Sequence, residues 1–100
     1  MMKPYSAEAF LAKAANTIFE RGKIYDSPAG ERSIERTVAL FNLRTGLNLT
    51  ETQGWIFMGC LKDVRQDTAG GQHEDSAVDK ICYALLEAES RFRDRMNTQS

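Results

Sequence analysis

One hundred residues with 42% apolar content make a single domain with one modest core, and no apolar run approaches the roughly 18 residues that crossing a membrane requires. Thirteen basic and fourteen acidic side chains leave a net charge of −1, which excludes the basic surplus of a duplex nucleic-acid binder. The same balance of apolar content and charge excludes a disordered chain.

The opening "MMKPYSAEAFLAK" has no long apolar segment before a small-residue cleavage site, so no secretory signal is expected. A first helix is predicted from about Ser6 to Gly22. Ala7, Leu11, Ala14 and Ile18 recur at three- and four-residue steps, Ser6 is a plausible N-cap and Gly22 a plausible stop. The connection "KIYDSPAGE" carries turn chemistry at Asp26-Ser27-Pro28, because proline disfavours a helical residue before it. A second helix then runs to about Thr45 with the stripe Ile34, Val38, Phe41 and Thr45, and Gly46 closes it.

The third helix has the clearest start, since Thr50 and Gln53 form a capping box. Phe57, Met58, Cys60, Leu61 and Val64 give it a broad apolar face, and "TAGGQ" ends it. The last helix begins near Glu74 with Val78, Ile81, Cys82, Leu85, Ala88 and Phe92 as its stripe, and the polar tail after Arg93 is expected to fray. No stretch alternates with period two. The expected fold is all-α, an antiparallel four-helix arrangement with short connections and a core of about residues 6–93.

The densest charge lies at the bend between the last two helices, "LKDVRQDTAGGQHEDSAVD". Lys62 and Arg65 share a face at the margin of the third helix's stripe, as Asp75 and Asp79 do on the fourth. One reading is structural: Asp75 or Ser76 caps the fourth helix, and the cations tie the hairpin by pairing with the carboxylates. The other makes the cations a seat for phosphate or carboxylate, for which arginine's planar fork and lysine's point charge are suited. A second polar cluster, "ERGKIYDSPAGER", puts Arg21, Lys23 and Arg32 around Tyr25. It serves either surface solvation or the stacking of a base. Glu31 and Glu35 have magnesium-binding spacing, with Arg32 and Arg36 beside them as ion-pair partners.

Trp55 falls on the side of the third helix opposite Val64, and Leu40 and Leu43 fall off the stripe of the second. These three are the expected interaction surface, for a dimer or another protein partner, with packing under the loop after Gly22 as the equal alternative for Trp55. Cys60 and Cys82 are expected as buried free thiols in a reducing cytoplasm, and with His73 the only histidine no zinc site is expected. No nucleophile motif is present and no catalytic residue is assigned.

"ERGKIYDSPAGERS", "GWIFMGCLKDVR" and "HEDSAVDKICYALLEAE" together resemble a family of small phage and prophage proteins of unknown function, over roughly residues 20 to 90. The resemblance implies a phage or prophage origin and action inside a bacterial cell. A fainter similarity is to the all-α nucleotide pyrophosphatases of the MazG and dUTPase type, which bind magnesium through a Glu-x-x-Glu pair and a later Glu-x-x-Asp pair. Lys62 and Arg65 stand where the first pair would be, and Asp75 and Asp79 are spaced by four, not three. That departure removes half of the carboxylates a two-metal site needs.

The expected function is the binding of a nucleotide or phosphometabolite without hydrolysis, by Lys62, Arg65, Asp75 and Asp79 with Arg21, Tyr25 and Arg32 as second contributors. The cations would take phosphate. The carboxylates would take ribose hydroxyls, base amino groups or one magnesium ion. The alternatives are a non-enzymatic host-interaction or anti-defence protein, and a magnesium-dependent pyrophosphatase.

Overall fold

The computed structural model describes residues 3–25 and 33–98, without the side chains of 23–25, 94 and 96–98. The turn at Asp26-Ser27-Pro28 lies outside the described residues. Four helices follow in order: α1 (Ala7–Tyr25), α2 (Ser33–Thr45), α3 (Glu51–Thr68) and α4 (Glu74–Thr98). The described residues contain no strand, and the fold is all-α as expected.

The helix ends follow from local chemistry. At α1, the Ser6 hydroxyl accepts the Ala9 N–H at 3.1 Å. The helix does not stop at Gly22, which is buried inside it, because packing overrides the weak helix propensity of one glycine. At α3 the Thr50–Gln53 box is complete: the Gln53 N–H donates to Thr50 Oγ1 at 3.1 Å and the Thr50 N–H to Gln53 Oε1 at 2.9 Å. Gly70 and Gly71 then turn the chain at φ of +75° and +85°, a region that side chains with a Cβ rarely adopt.

Neither Asp75 nor Ser76 caps α4. That role falls to His73, whose Nδ1 accepts the Ser76 N–H at 3.2 Å and lies 2.7 Å from the Ser76 hydroxyl. Nor does α4 end at Arg93. Both terminal guanidinium nitrogens of Arg93, Nη1 and Nη2, donate to the Glu51 carboxylate of α3, and these hydrogen bonds raise the Arg93 pKa above its ordinary value. With Arg93 anchored, the helix continues to Thr98.

The α3–α4 hairpin is the spine of the molecule. Lys62 pairs with Asp79 and Asp63 with Lys80 near the bend, while Thr52 meets Ser90 and Glu51 meets Arg93 at the open end, so the two helices run antiparallel. One apolar group joins Ile34 and Val38 of α2 to Trp55 of α3 and to Tyr83 and Leu86 of α4. A second joins Ala14 of α1 to Val78 and Cys82 of α4, with Phe10, Ile18 and Ile81 around it. The radius of gyration, 15.0 Å, exceeds the roughly 13 Å of a compact chain of this length, consistent with helices laid along a hairpin.

The buried faces differ from the expected stripes. On α3, Trp55 is 2% exposed and stacks on Tyr83 at 5.6 Å, so it is no part of an interaction surface. Phe57, Cys60 and Val64 face outward, and Cys60 is therefore an exposed thiol. The rotation follows from Gly54: a Cβ there would lie 2.7 Å from Val38 Cγ2 and 2.9 Å from Ile34 Cγ1. The bare glycine lets α2 approach there, and that contact turns Trp55 inward. On α4, Leu85, Ala88 and Phe92 are exposed, and Ser76, Asp79, Tyr83 and Leu86 join Val78 and Cys82 inside. Leu11 of α1 and Phe41 and Thr45 of α2 are likewise exposed.

Candidate functional site

Asp79 is the centre of the charged region. Arg21, from the last turns of α1, places Nη2 2.7 Å from Asp79 Oδ1, and Lys62 of α3 places Nζ 2.9 Å from Asp79 Oδ2. Lys62 and Asp79 are both 8% exposed. The lysine reaches its partner because Trp55, Met58 and Lys62 fall on one side of α3, and its ammonium passes 6.0 Å from the Tyr83 ring centroid. Taking such charges out of water costs several kcal/mol per ion, which their attraction repays only with good geometry. Here the two carboxylate oxygens each hold one cation. That arrangement leaves Asp79 poorly disposed to ligate a metal.

Two clefts flank the first turns of α4. One, of about 520 Å³, lies between α1 and α4 and is lined by Lys13, Asn16, Thr17, Arg21, Glu74, Asp75, Val78 and Asp79. The other, of about 410 Å³, lies over the α3–α4 bend and is lined by Tyr5, Phe10, Gln66, Gly71, Gln72, His73, Glu74 and Ala77. Glu74 belongs to both. It pairs with Lys13 at 3.3 Å, and the Lys13 ammonium also lies 5.4 Å from the Tyr5 ring centroid and 5.6 Å from that of Phe10.

The expected site residues are thus only partly brought together. Arg21, Lys62 and Asp79 meet, although the sequence shows Arg21 in a separate cluster. Asp75 lines the first cleft, exposed to solvent, and Arg65 is exposed on α3. Tyr25 ends α1 with its side chain outside the described residues, and Arg32 lies outside them altogether. The partner face keeps Leu40 and Leu43, which are 47% and 83% exposed, and loses Trp55. Among the described residues no group of three or more His, Cys, Asp or Glu side chains is placed to hold a metal ion.

Sequence reasoning missed Lys13, Glu74, Tyr5 and Phe10. A faint signal existed: Phe10 and Lys13 are three residues apart on a helix, and the Ser6 cap fixes Tyr5 beside them. Glu74 carried no local signal, because its partner is 61 positions away. Comparison of the chain with protein-family models, with curated proteins and with solved structures gives no match.

Proposed function

We propose that the protein is a helical domain that binds a nucleotide or phosphometabolite without hydrolysing it, in the cleft between α1 and α4. One observation carries the reading: charged side chains from three helices, Arg21, Lys62 and Asp79, meet at the edge of a 520 Å³ cleft, and Lys62 and Asp79 are buried. Buried ions are weak contributors to stability, so a cluster built at that cost beside a cleft is a candidate site. The cleft is lined by two cations, Lys13 and Arg21, and three carboxylates, Glu74, Asp75 and Asp79, with Lys62 buried against Asp79. A ligand carrying both phosphate and hydroxyl or amino donors answers both sets. Hydrolysis is not proposed, because both Asp79 oxygens are engaged by cations. On the sequence resemblance, this role belongs to a phage or prophage protein in a bacterial cell.

The test is a thermal-shift panel of nucleotides and sugar phosphates, each with and without magnesium. A ligand at a hundred times its Kd stabilises the folded state by about 2.7 kcal/mol. The variant Arg21→Gln, at a position still partly open to solvent, is expected to keep its fold and lose that shift. Silence across the panel at millimolar concentration overturns the reading.

A second reading has its own support: Leu40 and Leu43 on α2, Leu47 after it, and Phe57 and Val64 on α3 are large apolar side chains 47–83% exposed. They suit a non-enzymatic interaction protein directed at a host protein. Cross-linking in bacterial extract should then give an adduct that a Leu43→Glu, Phe57→Glu variant loses. The same adduct from both proteins removes this reading.

A further inference from the structure

We propose that the cleft walled by Tyr5 and Phe10 is the ring subsite of the same ligand, so that the ligand is a nucleoside phosphate and not a sugar phosphate. The inference rests on the proposed function and narrows its ligand class.

Tyr5 is 71% exposed, yet it is held in place. The Ser6 N–H and hydroxyl both donate to the Lys3 carbonyl, at 3.2 and 3.0 Å, which closes a turn just ahead of α1. The Tyr5 and Phe10 centroids are 6.4 Å apart at an interplanar angle of 38°. Phe10 is half-buried against the Ala14–Val78–Cys82 group, whereas the exposed, positioned Tyr5 ring offers little to the core and a ready face to a planar ring. The cleft beside it, about 410 Å³, falls within the range of small-molecule sites.

The rim has the groups that read a ring edge. Gln66 and Gln72 carry amides, and His73 carries an imidazole. Gln66 Oε1 already accepts the backbone N–H of His73 at 2.6 Å, which orients the amide and leaves its nitrogen as a donor. Stacking tolerates every base, so the geometry selects a planar ring and not one particular base.

The polar cleft adjoins this one. They share Glu74, and Lys13 binds that carboxylate while its ammonium lies over both rings. Lys13 therefore stands where a ring in one cleft would lead to a phosphate in the other, with Arg21 and Asp79 beyond it. A sugar phosphate would use only the second half.

The experiment is isothermal titration of adenosine monophosphate, cytidine monophosphate and ribose 5-phosphate into the wild type, Tyr5→Ala and Phe10→Leu. The tighter nucleotide is expected to bind about tenfold or more better than ribose 5-phosphate, the scale of one base–aromatic stack. Tyr5→Ala should bring it down to the ribose 5-phosphate level with no change in melting temperature, since the ring is exposed. Phe10→Leu is the second variant, keeping bulk while removing the π-face. Equal affinity for nucleotide and ribose 5-phosphate, unchanged in Tyr5→Ala, overturns the subsite and leaves the phosphate reading standing. Absence of binding by all three overturns both.

Discussion

Around Trp55 the α3–α4 hairpin is closed by apolar side chains, with α2 laid against it. Seven residues further along α3, around Lys62, it is closed by ions, with α1 laid against it. The same helix face supplies both, since Trp55 and Lys62 lie two turns apart on one side. The first region has an ordinary energetic rationale. Burial of Trp55, Tyr83 and Leu86 stabilises in proportion to the apolar area removed from water. The second lacks one, because a salt bridge among apolar neighbours seldom outperforms a well-packed hydrophobic pair. The contrast separates what the fold needs from what the fold tolerates. The tolerated part sits at the edge of the cleft between α1 and α4.

Trp55→Ala should show the largest effect. It removes the centre of the apolar group and leaves a cavity between three helices, at a cost of about 3–5 kcal/mol. For a chain of this size each kcal/mol lowers the melting temperature by roughly 4–8 °C, so thermal denaturation reads the loss directly. A fall of less than 5 °C would mean that the apolar region does not hold the hairpin, and the contrast would collapse.

Asp79→Ala should follow, at about 3 kcal/mol, because it leaves the Lys62 ammonium buried without its partner. The informative variant is the double one, Lys62→Met with Asp79→Leu. It replaces the buried pair by apolar side chains, an exchange that is often neutral or stabilising. We expect urea denaturation to show most of the loss recovered, and titration to show phosphate-ligand binding abolished. A double variant as unstable as Asp79→Ala alone would make the ions architectural and remove the main support for a site.

The sequence carried the helices better than their faces. Caps and stops rest on chemistry within a few residues, which is why Ser6, the Thr50–Gln53 box and the Gly70–Gly71 turn are legible. His73 was harder, because histidine is an uncommon cap and Asp75 and Ser76 stood next to it. The faces of α3 and α4 were misread for a different reason. An apolar stripe is a sum over side chains, whereas the inward face of α3 is selected by a glycine that admits α2 and by a lysine whose partner is on α4. Hydrophobicity alone scores both as outward residues. The candidate site was half legible on the same grounds: helical spacing singled out Lys62 and Asp79, and their junction with Arg21 required the fold.

The smallest expected effect sharpens the contrast from the other side. Asp63 and Lys80 are sequence neighbours of the buried pair and form the next salt bridge along the hairpin, at 2.5 Å, but each side chain is 52% exposed. Solvent screens such a pair, and holding two flexible side chains together costs entropy, so its net worth is about 0.2–1 kcal/mol at most. A double-mutant cycle with Asp63→Ala and Lys80→Ala should return a coupling energy near the bottom of that range, falling further at 1 M salt, where the Debye length is about 3 Å. The corresponding cycle at Lys62 and Asp79 should return several times more and change less with salt, since these side chains are only 10% and 12% exposed. Similar couplings and similar salt responses at the two positions would show that burial does not distinguish them. The Asp79 cluster would then be one more surface tie, with no claim to be a site.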